Sequence, residues 1–450
     1  MATWIRKLAA AALAGILWLS AGCSVIGADV EAQLRPPRGT GEQEKIQTAL
    51  EEYITSTKDM GGSKTNYVLK YPKNGENRSA FLIDDFNGDG ENEAFAFYRA
   101  GPDSNKTHVN YLCQVDGEWK SVADAEGYSS DIDQATVASM NGTGPRTLCV
   151  GWQEYTSRDK QMFLYTPASS VLDVQKLGTY SCAVVDDICS TGYDDVLLFQ
   201  VGEENMVMAQ LLSQRGQSLP IELGSVRLDG FIQSFSNPQL VTLADSVRGV
   251  FIDGSKGDSM VTELVYWDQG KLNAPLSQQQ TTERLSGIPS MDIDGDGMVE
   301  WPVSRRMNGY NAVEAKDSLW VTDWYSWDYE AQIVVKEFAS YVNLNDGYFL
   351  RAEDSFFERI TAEYSADSHL LTLRSFENGN VAGDPFLKLK TEGSALTSED
   401  DSSSTGAMYQ TVTTAGSRTY SVWFDSNAGL TMESIRYMLT ALPAYDRFRE

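Results

Sequence analysis

Two short acidic loops carry the residues best suited to chemistry. In DFNGDGENE, Asp85, Asn87, Asp89 and Glu93 occupy positions 1, 3, 5 and 9, with Gly90 at position 6. In DIDGDGMVE, Asp292, Asp294, Asp296 and Glu300 occupy the same positions, with Gly297 at position 6. Alternate oxygen-bearing side chains in a tight turn converge on one centre, and the glycine allows the bend. A hard cation that takes roughly six to eight oxygens fits such a set, so calcium is the expected cofactor. The main-chain carbonyls of Glu91 and Met298, at position 7, would each add an oxygen. An EF-hand begins in the same way but needs a bidentate acid at position 12 and flanking helices. Position 12 is Ala96 in one loop and Val303 in the other, the flanks are strand-like, and Pro302 follows the second loop.

Other catalytic chemistry is poorly provided for. His108 and His369 are the only histidines, which argues against a histidine-based triad or a histidine-rich metal site. No serine elbow, P-loop or dinucleotide motif is present. The 63 acids could conceal a carboxylate pair, but no spacing singles one out. Catalysis is therefore not expected; the alternative is a carbohydrate-active envelope enzyme using carboxylates in a central channel. Trp320, Trp324 and Trp327, with Tyr325 and Tyr329, could form a sugar-binding platform, although packing between sheets accounts for them more simply. Cys113, Cys149, Cys182 and Cys189 lie on apolar runs without metal-ligand spacing, which leaves free thiols and disulfides both open.

These loops belong to a repeating frame. DDFNGDGENEAFAFY, from Asp84, aligns without a gap on DDICSTGYDDVLLFQ, from Asp186. Ser139, Asp245 and Asp292 start further copies, so the frames begin at 85, 139, 187, 245 and 292. Each lies between apolar strands, and YLCQVDGEW from Tyr111 matches LVYWDQGKL from Leu264 as a second hairpin. Four strands in about 50 residues, repeated, predict propeller blades. The expected fold is mainly β: a β-propeller of about five to seven blades with a small C-terminal α+β domain. The strand from Thr65 would add a blade or close the ring. In the second copy Ser139, Asn141, Thr143 and Thr147 carry no charge, and the third substitutes Cys189 and Thr191 while keeping Asp187 and Asp195, so both should keep the hairpin shape without calcium.

At these loops the chain resembles the FG-GAP and VCBS repeat proteins, whose blades carry D-x-D-x-D-G-x-x-D/E calcium loops between two strands. The resemblance covers residues 62–338 and is strongest at the two intact loops. It implies a propeller with calcium in some blades, used for adhesion or ligand binding. Before it, residues 41–61 predict a helix with Ile46, Ala49, Leu50 and Tyr53 on one face, opened by a capping box of Thr40 and Gln43. After it, residues 339–450 predict half-buried strands around Ile360 and Tyr420. A polar loop from Thr397 lies between them, and a terminal helix from Thr431 through Leu442 follows, which Pro443 stops.

The N-terminus gives the destination. Arg6 and Lys7, the apolar run Leu8–Leu19 and the small residues Ser20, Ala21 and Gly22 precede Cys23. This is the pattern of a secretory signal, too short to span a bilayer. LSAGC resembles the lipobox of bacterial lipoproteins, with Leu19 one place earlier than usual. Residues 1–22 are expected to be removed, Cys23 to carry the acyl chains, and 23–40, with Pro36 and Pro37, to be a tether. Two or more acyl chains, at about 0.8 kcal/mol per buried methylene, suffice for stable anchoring. The net charge of −27 becomes more negative once Arg6 and Lys7 are lost, which disfavours nucleic acid and attracts cations. The expected protein is a lipid-anchored, extracytoplasmic lipoprotein that binds a glycan, wall polymer or protein at the cell surface; a structural or assembly role is a further alternative. Mass spectrometry of the membrane fraction should find Cys23 as the lipidated N-terminus. An unmodified Cys23, or cleavage elsewhere, would refute the assignment.

Overall fold

The apolar runs beside the acidic loops form strands buried on both faces. In Glu93–Ala100, Ala94, Ala96 and Tyr98 face one way and Phe95 and Phe97 the other, all without exposure. Strands sandwiched in this way lose the usual alternation and read as continuous hydrophobic sequence. The computed structural model describes residues 41–57, 67–101, 105–142, 144–154, 159–168, 170–215, 217, 219–277, 282–285, 287–393 and 409–442. The expected signal peptide, Cys23, the tether, the polar loop from Thr397 and Pro443 lie outside these residues. No described helix is long and apolar enough to cross a membrane.

The strands form antiparallel sheets that mostly follow chain order. The first runs Tyr67–Leu69, Glu93–Ala100, His108–Val115, Glu118–Glu126, with Phe81–Asp84 also paired to Glu93–Ala100. The second runs Asp131–Ala138, Thr147–Gln153, Lys160–Ala168, Val171–Tyr180. The third runs Cys182–Asp186, Asp195–Val201, Val207–Ser213, Ile221–Arg227. The fourth runs Ser234–Ala244, Val247–Lys256, Ser259–Asp268, Lys271–Asn273, with Arg284–Leu285 added. The fifth runs Trp301–Arg306, Trp320–Asp328, Ile333–Asn343, Tyr348–Ala352, Leu439–Ala441. The sixth orders Ile360–Ser365, Leu370–Glu377, Asn380–Gly393, Arg418–Phe424, Gln410–Ala415.

Two compact units contain these elements, one within 41–200 and 210–224, the other within 201–209 and 225–442. In the first unit, Phe95, Phe97 and Tyr111 share a core with Ile132, Leu148, Val150 and Trp152 of the second sheet. Cys149, on the opposite face of the same strand as Leu148, packs instead with Val196 and Leu198 of the third. The helix Glu42–Ser56 closes the outer face of the first sheet through Ile46, Ala49, Leu50 and Ile54. In the second unit, Phe251 and Leu264 pack against Trp301 and Trp327, while Val321, Tyr341 and Leu350 share a core with Leu371, Leu389 and Val422.

Several expectations change. The helix is capped by Gly41 with no side-chain cap and its third residue is Glu44, while Thr40 of the expected Thr40–Gln43 box lies outside the described residues. The strand expected to add a blade instead shares an edge with Phe81–Asp84, pairing Leu69 with Tyr98 while Phe81 pairs with Ala96. Residues between them clasp the second sheet. Lys70 and Lys73 reach Asp131 at 3.1 and 2.9 Å, and the Lys73 and Asn74 N–H groups donate to the carbonyls of Ile132 and Asp133. The terminal helix is only Met432–Met438, opened by a Thr431–Ser434 capping box; Leu439–Ala441 then pairs with Tyr348–Leu350, because Leu439 gains more as a sheet edge than as a further helical turn. The position between 338 and 339, expected to divide the domains, falls inside the strand Ile333–Asn343. The four described cysteines are free thiols.

Buried charge organises the fourth sheet. Arg284 and Asp253, both fully buried, meet at 2.7 Å, and Thr262, Ser290 and Asn237 satisfy the remaining Asp253 oxygens. Nearby Glu263 accepts hydrogen bonds from the Asp229 N–H (2.9 Å) and Ser277 Oγ (2.7 Å). Burial pushes its carboxyl from 4.5 up to about 7. Between those values the folded state holds a proton that the unfolded chain has lost, so stability falls as pH rises through this window. At about 1.4 kcal/mol for each tenfold change in proton affinity, the loss is on the order of 3 kcal/mol. Glu263→Gln should remove it: urea unfolding from pH 5 to 8 should show the parent losing stability relative to the variant. Parallel profiles would show that Glu263 ionises normally in the fold.

Candidate metal centre

The loop geometry follows from two carboxylates that satisfy backbone N–H groups. At position 1, Asp85 Oδ1 accepts from Gly88 and Asp89, and Oδ2 from Gly90, at 2.7–3.1 Å. Asp292 does the same for Gly295, Asp296 and Gly297. These turns place Gly88, Gly90, Gly295 and Gly297 at φ of 82°, 91°, 82° and 90°, where a side chain would be strained. At position 9, Glu93 is 2% exposed and accepts from the Phe86 and Asn87 N–H groups at 2.8 and 3.1 Å. Glu300, 1% exposed, accepts from Ile293 at 3.0 Å.

Carboxylate oxygens of Asp85, Asp89 and Glu93 lie within 4.8 Å of one another, as do those of Asp292, Asp294 and Glu300. The other sequence-predicted residues stand differently. The Asn87 amide nitrogen donates to Asp89 and Glu93 at 3.0 and 2.8 Å, so its oxygen faces the backbone; coordinating a cation requires the amide to turn over. Asp296 uses Oδ1 to accept from the Met298 N–H at 2.7 Å, and Asp89 likewise accepts from the Glu91 N–H at 2.8 Å. Burial, with added repulsion from Asp89 and Asp85, raises the Glu93 carboxyl above its usual range. Burial carries Glu300 up to about 8, opposed by the Ile293 hydrogen bond and reinforced by Asp294, Asp296 and Asp292. The donor set is all oxygen and short of positive charge at its buried end, which fits a hard divalent cation.

The third loop has the same frame with different electrostatics. Asp187 accepts from Thr191 and Gly192 at 2.8 Å, and Asp195 accepts from Cys189 at 3.0 Å. Arg215 Nε stands 4.0 Å from the fully buried Asp195, supplying an internal cation. Among the described residues neither Glu93 nor Glu300 has such a partner; Arg146 pairs instead with Asp84, and Arg351 with Asp294 at 3.4 Å. In the second copy Ser139 bonds Asp194, and in the fourth only Asp245 and Ser246 separate the strands.

Sequence reasoning passed over position 2. Phe86, Met140, Ile188 and Ile293 are at most 5% exposed and anchor their loops into the core. The signal was present, since position 2 is apolar in four aligned frames while attention was on the odd positions. The aromatic trio also divides: Trp324 and Trp327 are buried, whereas Trp320 is half-buried.

The class defined so far is a mainly β protein of successive antiparallel sheets with acidic hairpin loops. No family model and no curated protein matches the chain. Among solved structures, an exotype rhamnogalacturonan lyase, YesX, is 11% identical, with 70% of this chain and 67% of that one covered at a TM-score of 0.31. Sqt1 of Saccharomyces cerevisiae is 9% identical, with 80% and 96% covered at a TM-score of 0.29. A hypothetical selenium-binding protein from Sulfolobus tokodaii is 8% identical, with 44% of this chain covered at a TM-score of 0.29; the match spans 54% of that protein's length. Superpositions this loose transfer neither fold nor chemistry.

The anchoring role of position 2 is measurable. Phe86 meets Phe95 edge-on at 4.7 Å between ring centroids and is fully buried. Phe86→Ala should cost about 3–5 kcal/mol of unfolding free energy in urea titrations. A loss under about 1 kcal/mol, within the range of surface changes, would show the loop to be held by its hydrogen bonds alone.

Proposed function

We propose that the protein is a lipid-anchored, extracytoplasmic lipoprotein whose sheets form a calcium-stabilised β-propeller of the FG-GAP/VCBS kind. In this reading it binds a glycan, wall polymer or protein and is not a catalyst. The observation that carries the proposal is the pair of carboxylate triads, each with oxygens within 4.8 Å and one acid buried. Support for the propeller comes from successive four- and five-stranded sheets, several sharing cores with the next. Asp85, Asn87, Asp89 and Glu93, with the Glu91 carbonyl, would hold one ion. Asp292, Asp294, Asp296 and Glu300, with the Met298 carbonyl, would hold the other. A bound ion relieves the repulsion within each loop and stiffens the hairpin on which its sheet begins.

A ligand that binds only the folded state stabilises it by about 2.7 kcal/mol at one hundred times its dissociation constant. Calcium in the millimolar range can populate even weak extracellular sites, whose constants are on the order of 10⁻⁴ to 10⁻³ M. Chelation should therefore lower the melting temperature, and Asp89→Ala with Asp296→Ala should abolish most of that response. Asp195→Ala should lower baseline stability, since it strands Arg215 and the Cys189 N–H, yet leave the calcium response intact. Calorimetry without calcium binding, or a double variant that responds to chelator like the parent, would reduce both loops to ordinary acidic turns.

A further inference from the structure

The second acidic loop has one carboxylate more than the first, and the fold sets a cation of its own against it. Position 3 is Asn87 in the first loop and Asp294 in the second. Asp292, Asp296 and Glu300 each accept a hydrogen bond from a loop N–H. The Asp294 carboxylate has a different partner among the described residues: Arg351 Nη1, 3.4 Å away and 57 positions further along the chain. Arg351 belongs to the strand Tyr348–Ala352 of the fifth sheet.

The guanidinium is seated by the sheet and not by the loop. Its Cζ stands 3.8 Å from the centroid of the Phe338 ring, a cation–π contact. Ser340 pairs with Arg351 and Val342 with Phe349, so Phe338, Phe349 and Arg351 share one face of the sheet. Ile293, at position 2 of the loop, is buried in the same core as Phe338 and Phe349. Ile293 therefore presses the loop onto this face and carries Asp294 to the guanidinium.

The ion pair is loose. A strong charged hydrogen bond spans roughly 2.7–2.9 Å. This one is longer, and its side chains are 30% and 26% exposed, so water screens it. Arg351 would keep its seat on Phe338 after losing Asp294. It also lines a cavity of about 340 Å³ whose wall carries Glu353 and Asp354. Separation would strand neither charge. A divalent cation needs the same carboxylate, since Asp294, Asp292 and Glu300 have oxygens within 4.8 Å of one another.

We propose that Arg351 is a displaceable counter-ion that sets the calcium affinity of the second centre, an inference that rests on the calcium reading above and adds the residue regulating one of its sites. Without metal, Arg351 neutralises Asp294 and braces the loop. On binding, the ion takes Asp294 and the guanidinium keeps only its aromatic seat. Calcium bound at this centre therefore works against the positive charge of Arg351.

Calorimetric calcium titrations of the full chain carrying Asp89→Ala, which silences the first centre, isolate the second. In this background Arg351→Gln should tighten calcium binding about tenfold, because a positive charge this close repels the ion even when partly hydrated. Arg351→Lys, which keeps the charge, should change the constant far less. Arg351→Gln should also lower the melting temperature in chelator and enlarge the rise that calcium produces. Should Arg351→Gln fail to fold, Arg351→Met, whose unbranched stem still covers Phe338, takes its place. Calcium binding that emerges only once the charge is removed supports the proposal as well. An unchanged or weakened constant in the charge-removing variant would overturn it and leave Arg351 a brace, with the calcium centre intact. Calcium binding by neither the Asp89→Ala chain nor its Arg351→Gln derivative would remove the second centre and this inference with it. Titration of Asp296→Ala then shows whether the first centre survives.

Discussion

The buried carboxylate that closes each acidic loop is the interaction on which the hairpins depend. Glu93 and Glu300 are pulled inward by the N–H groups of Phe86, Asn87 and Ile293, while Phe86 and Ile293 sink into the core beside them. Hydrogen bonding alone would make such a carboxylate strongly acidic; burial reverses the balance, and both groups end above their usual range. The loop is thus well formed as backbone and poorly balanced as charge. Where Arg215 approaches Asp195, the same frame carries its own positive group. The repeats therefore share one mechanical part and differ in how its charge is neutralised.

Packing sheets in series has a parallel logic. A sheet covered on both faces can bury large side chains from every residue of its central strands, which is why Leu148, Cys149 and Val150 reach three successive positions of full burial. The polar residues then move to the edges and hairpins, where the acidic loops sit. At the first sheet, the helix Glu42–Ser56 covers the outer face. In the second unit, the sixth sheet does the same service for the face of the fifth that carries Val321, Tyr341 and Leu350.

Much of this could be read from residue types in order. The strand–loop–strand frames at 85, 139 and 187 stand where the alignment placed them, because each has apolar runs on both sides of turn residues. The alternation at Ile360, Ala362, Tyr420 and Val422 likewise identified half-buried strands. The failures share a cause. Leu439 and Leu442 fit a helical face, but the open edge of Tyr348–Ala352 offered hydrogen bonds that no local pattern reveals. Tyr67–Leu69 gave a clear strand signal without saying which edge it would join. At the candidate centre the odd-numbered acids were legible, while the amide orientation of Asn87 and the placing of Arg215 depend on contacts remote in sequence.

The divided edge of the first sheet bears on how the molecule would carry load. A pull applied from the N-terminal side reaches the helix Glu42–Ser56 and then the three-residue strand Tyr67–Leu69, whose pairing with Tyr98–Ala100 is too short to hold alone. Beyond it, Lys70, Lys73 and Asn74 grip Asp131, Ile132 and Asp133, so tension passes sideways into the second sheet before it can peel Phe81–Asp84 from its neighbour. Under such a pull the acidic loop that follows Asp84 would lie behind the clasp, which would take the tension before it reached the first candidate metal centre.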